Sequence, residues 1–387
     1  MLGDFFMSQH KIKHSANINE QLALLKSRGL IIDNPFLASE VLSSIGYYNV
    51  INAYKQPFLV NKSSETFITG TTFSDVYNIY EFDKRERRIL QTVLEEVEQQ
   101  LRQISSRKFI EEYGDDPEKY QDMTTYRSFK NPSSFKKFKS KIEYPALHDN
   151  SQPYKHYRDN YKGVPLWVAM TDWDFGTLET FIRHLDIKVK TEIINEFFAD
   201  VFLETMRSDT VGIDSFFSEL LVLIRNFRNR VSHGYRVYNY RPISIDKSGK
   251  HHPIIQYYVH FHGALGITRS QYKKGTSNGD IIILLNALRK LRYVNPAIRL
   301  QNETLDNLTR ALHDHQNIDF FLTRSLGYSS DAIAAFVRQQ ISRNKTLKVV
   351  NSQISDIYNY YFIDFAPDLI LVNENDLPST MVNMHHY

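Results

Sequence analysis

The chain of 387 residues contains no cysteine. Disulfide bonds and thiolate metal sites are therefore excluded, and the composition fits a reducing compartment. No stretch of the sequence approaches the roughly 20 apolar residues that a membrane-spanning helix needs. The first residues also lack the basic-then-apolar order of a signal peptide. We therefore expect a cytoplasmic protein with no membrane partner.

The chain also has little net charge, +3, and only two tryptophans against 24 tyrosines and 25 phenylalanines. So small an excess does not by itself indicate a nucleic-acid-binding protein, but the local distribution of charge does. Between Leu220 and Gly279, Asp246 is the one acidic residue, whereas ten residues are lysine or arginine. This basic region predicts a surface for a nucleic acid.

Two long amphipathic helices are predicted near the middle of the chain. The first begins after Thr72, where Asp75 completes a capping-box pattern, and it ends at Tyr113 before a glycine. The second runs from Asp214 to His233. Their apolar periodicity predicts a mostly α protein with a helical bundle at its centre. We divide the chain into an N-terminal helical region (1–66), the bundle (67–242) and a C-terminal α+β extension with a basic β-ribbon (243–387).

The second predicted helix carries the best indication of chemistry. Helical spacing places Leu220, Leu223, Ile224, Phe227 and Val231 on one face and Arg225, Arg228, Asn229, Ser232, His233 and Arg236 on the other. Histidine can transfer a proton near neutral pH, and arginine can hold a phosphate. These are the two tasks of RNA cleavage without a metal. The alternative is an ordinary helix end, in which basic residues and Gly234 close the last turn.

The order Arg-Asn-x3-His-x2-Arg-x2-Asn, formed by Arg228, Asn229, His233, Arg236 and Asn239, resembles the signature of the Abi-like (AbiD/AbiF) abortive-infection proteins of the HEPN superfamily. Further segments resemble the family in the same order, at residues 27–32, 45–58, 70–90, 95–102 and 165–178. Ser232 and Gly234 depart from the family, which usually has alanine and a second histidine there.

The resemblance implies a HEPN-like helical bundle and an anti-phage, toxin-like endoribonuclease that needs no metal or other cofactor. It implies a catalytic set of Arg228, Asn229 and His233. It also implies a homodimer, because each chain carries one motif. A regulatory, antitoxin-like RNA or protein is a further candidate partner. Two alternatives remain from the residues themselves: a non-catalytic module that holds a structured regulatory RNA, and a structural adaptor that uses its aromatic surface.

Charged segments suggest where RNA binds. Predicted contacts are Arg225, Arg230 and Arg236 beside the motif, Lys136, Lys137, Lys139 and Lys141 in a segment where lysines alternate with aromatic rings, and Lys247 and Lys250 in the ribbon. The run from Asp83 to Arg88 is either a solvated face or a support in which Asp83 or Arg87 orients the site. Glu98 and Arg102, four residues apart, are expected to pair on the surface.

The C-terminal part is predicted to contain strands at residues 243–245 and 254–261 and helices at 281–291, 304–312 and 329–341. Four histidines near the strands, His251, His252, His260 and His262, raise the possibility of zinc. A basic ribbon is the favoured interpretation, because no carboxylate or thiolate accompanies the histidines at ligand spacing.

Overall fold

A computed structural model describes residues 16–61, 63–127, 132–206, 210–245, 248–253, 265, 269–270, 279 and 281–313. Contacts between Cα atoms divide the described residues into two units. Residues 16–83 and 310–313 belong to the first unit, and the residues between 84 and 309 belong to the second. The described chain is mostly helical, which confirms the predicted fold class.

The first unit begins with two short helices, α1 (Ile18–Ser27) and α2 (Pro35–Ser44). Asn17 and Glu20 form a reciprocal capping box at the start of α1, and Asn34 accepts a hydrogen bond from the Leu37 amide at the start of α2. A π-helical turn (Tyr48–Asn52) and a 3-10 turn (Gln56–Phe58) follow. Both helices and both turns lie within the predicted N-terminal region.

Helix α3 (Phe73–Tyr113) is 41 residues long. The Thr72 amide donates to Asp75 Oδ2 at 2.8 Å, and the Asp75 amide donates to Thr72 Oγ1 at 3.1 Å, as the capping-box pattern predicts. The helix ends before Gly114, whose φ of +85° lies in the left-handed region. Leu90, Leu94 and Leu101 share its fully buried stripe, so α3 supplies a long apolar wall to the second unit.

The helices that complete the second unit before residue 240 are α4 (Pro117–Gln121), α5 (Pro132–His148), α6 (Tyr154–Asn160), α7 (Leu166–Ala169), α8 (Phe175–His184), α9 (Ile187–Phe197), α10 (Asp200–Thr205) and α11 (Thr210–Ser232). Two 3-10 turns, Met123–Thr125 and Met170–Asp172, connect some of them. Helix α11 packs against α8 and α9. No helix in the described ranges is long and apolar enough to cross a membrane.

The described C-terminal part contains strands β1 (Ile243–Ile245) and β2 (His251–Pro253) and helices α12 (Ile281–Leu288) and α13 (Asn295–His313). The strands pair antiparallel, with Ile245 opposite His251. Strand β1 and helix α12 agree with the prediction, and α13 begins nine residues before the predicted start at 304. The predicted strand at 254–261, the helix at 329–341, His260 and His262 lie outside the described residues.

The two acidic residues of the charged run in α3 are not part of a solvated face, so that interpretation is wrong for Asp83 and Glu86. Asp83 and Glu86 are buried, with 0% and 1% of their surfaces exposed. Glu86 accepts hydrogen bonds from Thr304 Oγ1 at 2.6 Å and Asn307 Nδ2 at 2.9 Å, both on α13. Buried carboxylates need such partners, because an unpaired charge inside a protein costs several kcal/mol.

Candidate functional site

The two faces predicted for α11 are present in the structure. Its apolar face, Leu220, Leu223, Ile224, Phe227 and Val231, is buried in the main core. On the remaining surface, Arg225 and Arg228 are partly exposed, and Asn229, Ser232 and His233 are exposed. One side of the helix therefore anchors the motif, and the other presents it to solvent.

The end of α11 is closed by a Schellman motif. The Gly234 amide donates to the Val231 carbonyl at 3.0 Å and the Tyr235 amide to the Arg230 carbonyl at 3.1 Å. Gly234 has a φ of +68°, which an L-residue rarely adopts. The last turn of α11 is therefore closed as in the alternative considered for the sequence, an ordinary helix end. The chain turns immediately after His233, so its ring, 5.9 Å from that of Tyr235, lies at the exposed helix terminus.

Arg228 is held from below by a buried carboxylate. Its Nε donates to Glu98 Oε2 on α3 at 3.3 Å, and the Glu98 side chain is only 3% exposed, whereas that of Arg228 is 32% exposed. Arg102 Nη2 lies 2.5 Å from the other Glu98 oxygen and also donates to the Trp173 carbonyl at 2.6 Å. The predicted Glu98–Arg102 pair is confirmed, but its predicted place on the surface is wrong for Glu98.

Arg225, one helical turn before Arg228, meets a second buried carboxylate. Its Nη1 lies 2.7 Å from Glu179 Oε2 on α8, an ion pair without hydrogen-bond geometry, and the Glu179 side chain is 1% exposed. Arg183 pairs with the other Glu179 oxygen. Sequence reasoning missed both carboxylates as parts of the site. Their signal is positional, since each glutamate is flanked at helical spacing by buried apolar residues of its own helix.

Arg228 and His233 have different hydrogen-bond partners. The Arg228 guanidinium turns inward to Glu98, and in the described part of the chain no hydrogen bond or ion pair joins it to His233. Asn229 is linked to His233 through the backbone, because its carbonyl accepts from the His233 amide at 3.2 Å. A single chain therefore presents a partly exposed arginine and an exposed imidazole near the end of α11.

The other basic residues beside the motif contact aromatic rings. The Arg230 guanidinium carbon lies 4.6 Å from the centre of the Tyr240 ring and 5.2 Å from that of Tyr235. The corresponding distance from Arg236 to Tyr238 is 5.6 Å. Arg230 Nε also donates to the Arg236 carbonyl at 2.8 Å. These contacts order the segment after α11.

The predicted supporting residues divide between the two units. Asp83, in the first unit, accepts a hydrogen bond from the Tyr54 hydroxyl at 2.6 Å. Arg87 belongs to the second unit and is partly exposed. A role for either residue in orienting the site stays a prediction.

Two of the four lysines predicted to bind RNA on α5, Lys139 and Lys141, have acidic partners. Lys141 Nζ lies 2.8 Å from Asp174 Oδ2, and Lys139 Nζ lies 3.7 Å from Glu143 Oε1. Lys136 and Lys137 are exposed on α5. In the predicted ribbon Lys250 is exposed, whereas Lys247 lies outside the described residues.

A cluster of aromatic rings is exposed on α6 and α7. Tyr157 lies at its centre, with its ring 5.4 Å from that of Tyr161 and 5.6 Å from that of Trp167. The His156 ring lies 5.8 Å from Tyr161. Tyr161 and Trp167 are 62% and 49% exposed. Rings presented to solvent in this way can stack on unpaired bases.

Glu219 of α11 lies apart from the two arginine-bound carboxylates. Burial raises the pKa of its carboxyl group to about 7. Its Oε2 atom is buried and has no hydrogen-bond partner within the described ranges. No group of three or more histidine, aspartate or glutamate side chains that could hold a metal ion occurs in those ranges either.

Comparison with protein-family models matches residues 40–239, just over half of the chain, to the family described as Abi-like protein. The matched range contains α11 and the whole motif through Asn239. No curated protein matches the chain, and no solved structure matches it.

Proposed function

The chain belongs to the Abi-like protein family, and we propose that it is an abortive-infection endoribonuclease of the HEPN type that cleaves RNA without a metal ion. One observation carries the proposal. The buried Glu98 carboxylate fixes a partly exposed arginine, Arg228, on the helix that ends in the exposed imidazole of His233. A positioned cation and a free imidazole are the groups that this reaction uses.

In the proposed reaction the ribose 2′-oxygen attacks the adjacent phosphorus. The O2′–P bond forms and the P–O5′ bond breaks, so that a 2′,3′-cyclic phosphate and a 5′-hydroxyl result. One imidazole accepts the proton of the 2′-hydroxyl, and an acid protonates the leaving 5′-oxygen. Arg228 stabilises the charge that builds up on the phosphoryl oxygens, and Asn229 orients the reacting groups.

Glu98 is a positioning residue in this scheme. It does not touch RNA, because it lies beneath the arginines. Its two oxygens bind Arg228 and Arg102 separately, so the carboxylate restricts the rotamers of both side chains before substrate arrives. Such preorganisation lowers the entropy cost of holding a phosphate.

A homodimer would supply the second imidazole. One histidine cannot act as base and acid in the same step, whereas a twofold axis near the end of α11 would bring two exposed His233 side chains together. The exposure of Asn229 and His233 at the end of α11 leaves both side chains accessible to a second copy of the chain, which supports such a composite site. Light scattering should show a dimer at micromolar concentration, and a fully active monomer would contradict the scheme.

The decisive experiment replaces the two main groups one at a time. Arg228→Ala leaves Glu98 paired with Arg102, and His233→Ala removes an exposed ring, so both variants should fold. Each should abolish toxicity on overexpression and lower RNA cleavage by about 100-fold or more. Arg107→Ala and His148→Ala are matched controls, because both residues are exposed and lie outside the motif.

Metal chelation tests whether cleavage proceeds without a metal ion. Cleavage should persist in EDTA and should leave cyclic phosphate ends, which mass spectrometry can identify. Loss of all cutting in EDTA, or undiminished toxicity of both variants, would show that Arg228 and His233 are not the centre of a metal-free nuclease.

A second candidate function, binding a structured regulatory RNA without cutting it, is favoured by the aromatic cluster of Tyr157, Tyr161 and Trp167. Exposed rings bind unpaired bases whether or not catalysis follows. The two functions differ at His233, because binding tolerates its loss and cleavage does not. Under the nuclease proposal the same surface could receive the RNA or protein that keeps the enzyme silent. Trp167→Ala should weaken RNA binding in either case.

A further inference from the structure

Helix α11 carries two arginines with the same surroundings. Arg228 and Arg225 are three residues apart, and each reaches a glutamate that is almost fully buried. In each case a second arginine, from the helix that carries the glutamate, binds the other carboxylate oxygen, Arg102 on α3 and Arg183 on α8. We call the second set, Glu179, Arg183 and Arg225, the Glu179 cluster. The proposed function uses the first set and leaves the Glu179 cluster without a role.

The charge of the Glu179 cluster exceeds what stability requires. One arginine would neutralise the carboxylate, so two cations and one anion leave an excess of one positive charge. The excess lies at the surface, because the side chains of Arg183 and Arg225 are 48% and 36% exposed while the carboxylate lies beneath them. Each guanidinium has five N–H donors, and the contacts to Glu179 leave several of them for a ligand.

The carboxylate also fixes the geometry of the arginines. Free arginine side chains lose about 2 kcal/mol of rotamer entropy when a ligand holds them. A buried glutamate that already binds both guanidinium groups removes part of this cost in advance. The cluster is therefore built to receive an oxyanion, for which arginine forks provide strong, directional hydrogen bonds.

The spacing of Arg225 and Arg228 favours an anion with more than one phosphate group. Side chains three residues apart on a helix have Cβ atoms about 5–6 Å apart, and the long arginine side chains can adjust this separation. Proteins bind a nucleic-acid strand through lysine and arginine contacts to its successive phosphates. A phosphate at Arg228 would thus place the next phosphate of the strand over Arg225 and Arg183.

We infer that the Glu179 cluster is a second phosphate subsite, which binds the phosphodiester next to the scissile one in single-stranded RNA. The inference rests on the proposed function for the identity of the first site. Arg183 and Arg225 contact this neighbouring phosphate, and Glu179 positions them. The subsite contributes to binding and not to proton transfer, so its loss raises KM and leaves kcat unchanged.

The test uses the full-length protein and the variants Arg183→Gln and Arg225→Gln. Each single variant leaves Glu179 one arginine, so the buried charge stays paired. With RNA as substrate, either change should raise KM about tenfold, the equivalent of one lost charge-assisted hydrogen bond. The slope of log Kd against log salt concentration should fall by about one, the amount expected for one lost phosphate contact. Arg107→Gln is the control, because it removes one exposed positive charge from α3, outside the Glu179 cluster. It should change neither KM nor the salt slope.

Binding to an oligonucleotide that cannot be cut separates this inference from the proposed function. The strand carries 2′-deoxyribose throughout, and one phosphate at a time is replaced by an uncharged methylphosphonate. One position should weaken binding to the wild type more than it weakens binding to Arg183→Gln, because the variant has already lost one of the two arginine contacts to that phosphate. Binding with this pattern but without any RNA cleavage would retain the subsite and refute the nuclease.

Other outcomes would overturn the subsite. Unchanged affinity in both variants would mean that the arginines only neutralise Glu179. Equal losses in Arg183→Gln and Arg107→Gln would mean that RNA responds to total charge and not to a built site. Thermal unfolding of each variant checks that the folded fraction is the same in every binding measurement.

Discussion

Replacement of Glu98 by glutamine tests whether a buried carboxylate positions Arg228, the proposed catalytic arginine. The amide keeps the shape of the side chain but removes the charge that faces Arg228 and Arg102. Breaking a buried ion pair costs about 3–5 kcal/mol when the remaining charge stays buried. Here the two remaining guanidinium groups are partly exposed, and Arg102 keeps the Trp173 carbonyl, so we expect a loss of only about 2 kcal/mol.

The effect on catalysis should be larger than the effect on stability. Without the carboxylate, Arg228 is free to leave the position in which it meets the phosphate. Misplacement of such a group by about 1 Å can cost roughly 100-fold in rate, so we expect kcat to fall by about that factor while KM changes little. Glu98→Asp keeps the charge but is one methylene shorter, and it should recover part of the rate.

Glu196→Gln is the matched control. Glu196 also lies between two cations, Arg107 and Lys108, but it is 30% exposed. Its replacement should cost no more than about 1 kcal/mol and leave kcat unchanged. Urea unfolding and cleavage of a fluorescent oligonucleotide measure the two quantities. Wild-type kcat in Glu98→Gln, together with an inactive Arg228→Ala, would refute the positioning role of Glu98.

Three further predictions concern the core, the pH dependence of stability and RNA binding. Phe227 is fully buried and its ring lies 5.4 Å from that of Tyr240, so Phe227→Ala should lower the free energy of unfolding by about 3–5 kcal/mol; Phe36→Ala, at an exposed ring, should change it little in the same urea titration. The raised pKa of Glu219, about 7 against an ordinary 4.5, means that the native state holds the proton more tightly than the unfolded chain. The stabilisation from this proton is therefore complete below about pH 4.5 and is lost as the pH rises through 7. Because Glu219 is partly exposed, the expected loss is moderate. The free energy of unfolding of the wild type should fall by about 1–2 kcal/mol relative to that of Glu219→Gln across that range. If the urea midpoints of the wild type and of Glu219→Gln had the same pH dependence, this prediction would be wrong. Neutralising four lysines of α5, Lys136, Lys137, Lys139 and Lys141, should weaken RNA binding and lower its salt dependence. Most of the effect should come from Lys136 and Lys137, which have no acidic partner in the described structure. Unchanged binding curves would show that the four lysines form only a solvated face.

Local patterns in the sequence determined the helices and their ends. The Thr72–Asp75 capping box, the apolar stripe of α11 and the glycine after His233 act within a few residues of one another. Their physical causes are hydrogen bonds to free helix ends and a periodicity of 3.6 residues, both of which can be read along the chain. For the same reason the exposed arc from Arg228 to His233 could be predicted correctly.

Only the tertiary structure decided which charges lie in the interior and what they meet. The spacing of Glu98 and Arg102 predicted their pairing, but burial depends on which helix packs over that face of α3, and Arg228 approaches from 130 residues further along the chain. The same holds for Glu179 with Arg225, and for Glu86 with Thr304. A local pattern cannot encode these partners, because the energy of a buried charge is set by the surroundings that distant segments create. The sequence by itself determined a helix with a basic, histidine-bearing face, and the packing of α3 and α8 against that helix determined how its arginines are held.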